Sequence, residues 1–177
     1  MSRVGAKEVE FGSNVQVRLE NEFFIAKGPK GEARVRLPKN IKVNIAGNKI
    51  NVLPLHDKVQ DKAFWGTGRS VIQGAITGVT NGVKIEMLLQ GVGYKASVAG
   101  HKLILNVGFS HPVEYEFPKT VKITTPKPTE LVIEGANPQE VGLIASQIRK
   151  IKVPEVYKGK GIRYVGEYVR IKEGKKK

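Results

Sequence analysis

The chain has 177 residues, with 30 Lys or Arg against 16 Asp or Glu for a net charge of +14, and 40% of its residues are hydrophobic. It holds no cysteine, which excludes disulfides and thiolate metal sites, and no apolar run approaches the roughly 18 residues of a membrane-crossing helix. The first residues, Met1-Ser2-Arg3-Val4-Gly5, lack the apolar core of a signal peptide, so a soluble intracellular protein is expected.

Short β-branched and aromatic runs punctuated by Gly, Pro and Asn predict strands over 15–19, 23–27, 33–37, 41–45 and 49–53. Gly28-Pro29-Lys30-Gly31 and Ala46-Gly47-Asn48 supply hairpin turns, and connections this short allow only antiparallel pairing. From 57 to 79 the period changes. Val59, Ala63, Phe64, Val71, Ile72, Ala75, Ile76 and Val79 return at helical spacing and predict one buried stripe. Gly66, Gly68 and Gly74 each weaken such a helix by up to about 1 kcal/mol relative to Ala, so tertiary packing must hold it. Asn81-Gly82 closes the segment.

The order then begins again, with strands predicted over 83–89, 94–99, 102–107, 113–117, 121–125 and 130–134. A second helix follows, with Asn137 as N-cap, Pro138 at the first helical position and Glu140 at the third, where it bonds back to the cap. Val141, Ile144, Ala145, Ile148 and Ile151 form its buried stripe, while Arg149, Lys150 and Lys152 complement the C-terminal end of its dipole. A further strand is expected over 168–171.

The repetition is written in the residues themselves. Leu37-Pro38-Lys39-Asn40-Ile41-Lys42-Val43 returns 80 positions later as Phe117-Pro118-Lys119-Thr120-Val121-Lys122-Ile123, and the same offset pairs Gly28 with Gly108. A fixed offset implies two copies of one structural unit. The expected fold is therefore α+β: two similar small domains related by internal duplication, 1–81 and 82–177, each a mainly antiparallel sheet packed with one helix.

Charge separates the copies. Residues 147–177 carry eleven Lys or Arg against three Glu, a net +8, which is over half of the whole excess. A basic cluster of this size implies a polyanionic partner, because Lys and Arg neutralise phosphates and release their counterions. Within it, Tyr157-Lys158-Gly159-Lys160-Gly161-Ile162-Arg163-Tyr164 sets cations on a Gly-interrupted loop between aromatic rings. Glycines let backbone approach phosphates, and Tyr stacks on bases or bonds sugar hydroxyls. A solvated basic hairpin with tyrosines anchored in the core is the bland alternative, and an acidic protein or membrane surface is the alternative partner. The absence of a long amphipathic basic helix counts against membrane.

Arg69, beside the first helix glycines, and Lys95, next to the Gly91-Val92-Gly93 turn, are weaker phosphate-contact candidates, and Lys175, Lys176 and Lys177 form a basic tail. The Gly91-Val92-Gly93 fragment fails as a dinucleotide site because a strand follows it rather than a helix. Lys158-Gly159-Lys160-Gly161 lacks the spacing of a nucleotide-binding loop, His56, His101 and His111 are scattered, and no nucleophile or carboxylate pair stands out. No cofactor, no metal, no small-molecule substrate and no enzymatic activity are expected.

Pro154-Glu155-Val156-Tyr157-Lys158-Gly159-Lys160-Gly161-Ile162-Arg163-Tyr164 resembles the C-terminal signature of the bacterial large-subunit ribosomal protein six family. Ser2-Arg3-Val4-Gly5, Lys27-Gly28-Pro29-Lys30-Gly31 and Gly91-Val92-Gly93-Tyr94-Lys95 resemble further segments of the family, and the match runs essentially end to end. Val156 stands where the family commonly has a second proline, and Lys7-Glu8 replaces a usual Lys-Pro. The resemblance implies an architectural protein of the cytoplasmic ribosome that binds large-subunit ribosomal RNA near the base of the acidic stalk and the factor-binding region, beside neighbouring ribosomal proteins. By matching position, the contacts would be Tyr157, Lys158, Gly159, Lys160, Gly161, Arg163 and Tyr164, with Lys95, Arg69 and the tail secondary.

Overall fold

The computed structural model describes residues 2–56 and 58–174. The chain divides into two compact units: residues up to Val83 with Ala136–Gln139, and Lys84–Gly135 with the residues from Glu140 onward.

The first unit runs β1 (Val9–Glu10), β2 (Gln16–Glu20), β3 (Phe23–Gly28), β4 (Gly31–Arg36), β5 (Ile41–Ala46), β6 (Lys49–Pro54) and α1 (Val59–Asn81). It forms two antiparallel three-stranded sheets, ordered β2-β3-β4 and β1-β6-β5. Strand alternation sends Phe24, Ala26, Ala33, Val35, Ile50 and Val52 inward, where they meet Trp65, Ile72, Ala75, Ile76 and Val79 of α1. The indole N–H of Trp65 donates to the carbonyl of Val52, satisfying the one polar atom of that buried ring. Despite its glycines α1 is continuous over 23 residues. At Gly68 the reason is space: a Cβ there would lie 2.5 Å from Cδ1 of Ile41.

The second unit runs β7 (Val83–Gln90), β8 (Lys95–Ala99), β9 (Lys102–Asn106), β10 (Val113–Glu116), β11 (Val121–Lys127), β12 (Glu130–Gly135), α2 (Pro138–Ile151) and β13 (Gly161–Tyr164). Its sheets are ordered β10-β9-β8 and β11-β12-β7-β13. Element for element this repeats the first unit: β2-β3-β4 becomes β8-β9-β10, and β1-β6-β5 becomes β7-β12-β11. Equivalent positions are buried in both copies, Leu37 and Phe117 among them. The duplicated α+β architecture expected from the 80-residue offset is the architecture found.

Five details differ from expectation. The buried stripe of α1 begins later than its spacing predicts: Val59, Ala63 and Phe64 are exposed and Trp65 takes the inward place, because the apolar core meets the helix only from that residue on. β1 was not anticipated, because only two residues pair. β13 forms inside the stretch expected to be a loop, since β7 offers it a free edge. Residues 168–171 form no strand. Asn137 does cap α2, its Oδ1 accepting the Gln139 N–H at 3.1 Å, but the Glu140 carboxylate accepts the Thr120 hydroxyl at 2.6 Å and not the cap backbone.

Candidate nucleic-acid interface

β13 is the only addition the second copy makes to the repeated sheet plan among the described residues, and it positions the basic segment. It pairs antiparallel with β7, setting Gly161 opposite Gln90, Ile162 opposite Leu89, Arg163 opposite Leu88 and Tyr164 opposite Met87. Ile162, Leu89 and Met87 are buried, so Ile162 and Tyr164 share the core face. Arg163 faces the other way and is half-buried. The hydrophobic side chain of Ile162 thus fixes which cation faces outward.

Between α2 and β13 the chain makes a closed loop. Ile162 N–H donates to Lys152 O at 2.8 Å, Glu155 N–H to Lys160 O at 2.9 Å, and Gly159 N–H to Glu155 O at 3.0 Å. Gly159 and Gly161 are both buried. A Cβ on Gly161 would sit 2.6 Å from Cα of Pro154, and Gly159 has φ +67°. The missing side chains of these two residues serve the loop's internal packing and its turn.

The lysines come out of this frame unpaired. Lys158 is exposed and Lys160 half-buried, and neither ammonium group forms a hydrogen bond or ion pair among the described residues. The register begins at Gly161 opposite Gln90, the residue before the turn at 91–93, where Val92 is 93% exposed. Lys95 opens β8 just beyond that turn and is exposed.

A terminal stretch closes over the loop. Lys172 N–H donates to Val156 O at 2.7 Å, and Cδ1 of Ile171 lies 3.6 Å from where a Gly159 Cβ would stand. Tyr168, 89% exposed, lies on this stretch with exposed Arg170 and Lys172; the two cations were expected as part of the basic excess, whereas Tyr168 was expected only within a strand. The signal was present in the alternation of Tyr168, Arg170 and Lys172. Phe109 was also missed: it is half-exposed, and Nζ of Lys152 lies 4.7 Å from its ring centroid.

Not every basic residue of the segment is available. Arg149 donates through Nε to Glu167 Oε2 at 3.1 Å and through Nη2 to Glu167 Oε1, while Tyr164 N–H donates to Glu167 Oε2 at 3.0 Å. The Arg149 hydrogen bond holds the Glu167 carboxyl below the usual carboxylate range, and the same bond raises Arg149 above the usual guanidinium value. Arg163 adds a weaker lowering of Glu167 through its charge. This pair latches the turn after β13 onto α2.

The other expected contacts sort as follows. Tyr157 is 55% exposed and open to stacking, whereas Tyr164 lies half-buried on the core side of β13. Arg69 donates from Nε to Lys7 O and from Nη2 to Glu8 O, both at 3.3 Å, so its guanidinium binds the protein's own backbone. Lys175, Lys176 and Lys177 lie outside the described residues. Among the described residues no group of acidic, His or Cys side chains is arranged to hold a metal ion, and no helix is long and apolar enough to cross a membrane.

A family model described as ribosomal protein L6 matches residues 11–82 and 90–165, one segment in each repeat. The chain is 44% identical over 177 residues to large ribosomal subunit protein uL6 of Gluconacetobacter diazotrophicus, covering 100% of both chains. It is 46% identical over 175 residues to the uL6 protein of Shouchella clausii, and 45% identical over 175 residues to that of Listeria welshimeri. Each of these two alignments covers 99% of this chain and 98% of the relative.

Proposed function

The chain belongs to the ribosomal protein L6 family, and on that premise we propose that it is a structural component of the large ribosomal subunit that docks its second repeat, 82–177, on large-subunit ribosomal RNA. The observation that carries the docking surface is the arrangement of Lys158, Lys160 and Arg163: the loop and β13 are fixed by main-chain bonds and a buried Ile162, yet the three cations have no hydrogen bond or ion pair among the described residues. A backbone fixed in this way lowers the ordering cost of bringing these cations against phosphates. Tyr157 adds an exposed ring for a base or sugar, and Lys95, Tyr168, Arg170 and Lys172 extend the surface. Lys175, Lys176 and Lys177 contribute charge to the same partner. A place near the stalk base and factor-binding region, with ribosomal proteins as neighbours in the cytoplasm, is supported by the family resemblance. The role is architectural and involves no turnover.

The test is a salt titration of binding to large-subunit ribosomal RNA with the full chain and with the Lys158→Ala/Lys160→Ala/Arg163→Ala variant. Loss of three phosphate contacts lowers the log–log salt slope by about 2 to 3, at about 0.7–0.9 per phosphate. An unchanged slope and affinity in a folded variant removes the loop from the interface.

A further inference from the structure

The repeat preserves something the fold does not require. Few residues are identical at the 80-residue offset, and among them are Pro38 with Pro118, Lys39 with Lys119 and Lys42 with Lys122. Around these, the apolar matches have an obvious cause: Leu37 and Phe117 are buried, as are Val121 and Ile123, while Ile41 and Val43 pack against the first core. The prolines shape the turn entering β5 and β11, where Val121 N–H donates to Pro118 O at 3.2 Å. The lysines have no such cause. All four are exposed, and none of their ammonium groups forms a hydrogen bond or ion pair among the described residues. Lys39 acts on Glu22 only as the smallest contributor to that carboxyl's lowered pKa, and Lys122 stands opposite Glu134 in the register without a salt bridge.

Their surroundings make the persistence informative. Other surface positions of the two copies differ in charge: at the same offset Arg34 corresponds to Glu114 and Arg36 to Glu116. Residues 82–146, which contain Lys119 and Lys122, hold six Lys and six Glu, so no general basic drift explains lysine there. In each copy the two lysines are three residues apart, one on the turn and one on the adjoining edge strand, and their Cα atoms are within about 10 Å. That separation suits two phosphates of one strand of nucleic acid.

We propose that the turn and first residues of β5 and of β11 form a duplicated phosphate-contact site, Lys39 with Lys42 and Lys119 with Lys122, that binds ribosomal RNA backbone independently of the C-terminal loop. The inference rests on the RNA-binding function proposed above, and it gives the first repeat an RNA contact of its own. It adds no base recognition, because ammonium groups meeting phosphates carry no sequence information.

The test compares four full-length proteins on large-subunit ribosomal RNA across a salt series: wild type, Lys39→Ala/Lys42→Ala, Lys119→Ala/Lys122→Ala, and the loop variant with Lys158, Lys160 and Arg163 replaced. Each lysine-pair variant is expected to lower the salt slope by about 1.5 and to weaken binding about tenfold at 0.1 M salt, with arginine at the same positions restoring both. If both pair variants bind as wild type while the loop variant is impaired, the duplicated site is wrong and the proposed function stands. If no variant changes binding, both fall. Self-association of the pair variants at unchanged RNA affinity would overturn the site in favour of edge-strand protection, the other known use of lysine on exposed strands.

Discussion

Arg69 and Arg149 occupy the same place in the two repeats, each following a buried position on its helix, yet they hold different things. In the first copy the guanidinium bonds the backbone carbonyls of Lys7 and Glu8, tying down the segment that leads into the sheet. In the second copy it grips Glu167 and so fixes the extension that follows β13. The sheets differ in the same sense. β1 offers two residues for pairing, whereas β7 is eight residues long, and its free edge receives β13. A duplicated helix arginine and a lengthened strand are thus enough to convert one copy into a platform for a basic segment. The whole charge excess of the second repeat, +8, lies in that segment.

The comparison breaks most visibly at Ile162. Replacing this fully buried residue with Ala should cost about 2–5 kcal/mol and detach β13, lowering the denaturation midpoint of the second unit while leaving that of the first unchanged. Gly161→Ala comes next. With φ +153° and a backbone clash against Pro154, it should cost about 1–3 kcal/mol and reduce RNA affinity in parallel. Gly142→Ala in α2, where a Cβ meets nothing within 4 Å, should instead stabilise by up to about 1 kcal/mol.

A smaller effect sharpens the arginine comparison. Arg149→Ala should cost about 1–2 kcal/mol and make residues beyond Tyr164 susceptible to limited proteolysis. Arg69→Ala should expose the N-terminal segment to the protease and leave RNA affinity as it was. The smallest effect is in acid. The unfolded chain protonates Glu167 near about pH 4.3, while in the folded protein its pKa lies lower, so its stabilisation is present above the unfolded value and disappears as pH falls through the folded one. Glu167→Gln should therefore flatten the acid limb of a urea-midpoint profile. The part that remains belongs to groups such as Glu8 and Glu22, held low by Lys49 and Arg36.

The main strands and both helices were legible because β-branched runs, Gly-rich turns and helical periodicity are local signals, although the periodicity placed Val59, Ala63 and Phe64 inward where the structure buries Trp65. What escaped was decided by partners distant in sequence. β13 is four residues that begin with Gly, and nothing in Gly161-Ile162-Arg163-Tyr164 announces that β7 has an open edge. Residues 168–171 have strand-like chemistry, but Lys172 bonds back to Val156 and the stretch pairs with no strand. Glu140 sits where a capping box would place it, and Thr120, twenty residues away, takes its carboxylate. In the candidate site, clustering of charge was visible from composition. The pairing that ties Arg149 to Glu167 and Arg69 to backbone carbonyls required coordinates, as did the inward glycines and the exposure of Phe109 and Tyr168.

The most direct measurement is the rate at which individual lysines are acetylated in the free protein and in the assembled large ribosomal subunit. Lys158 and Lys160 should be protected in the particle, with rates at least several-fold lower than in the free chain. Equal rates at both positions, in a particle that demonstrably contains the protein, would contradict the assignment of the β13 platform to ribosomal RNA.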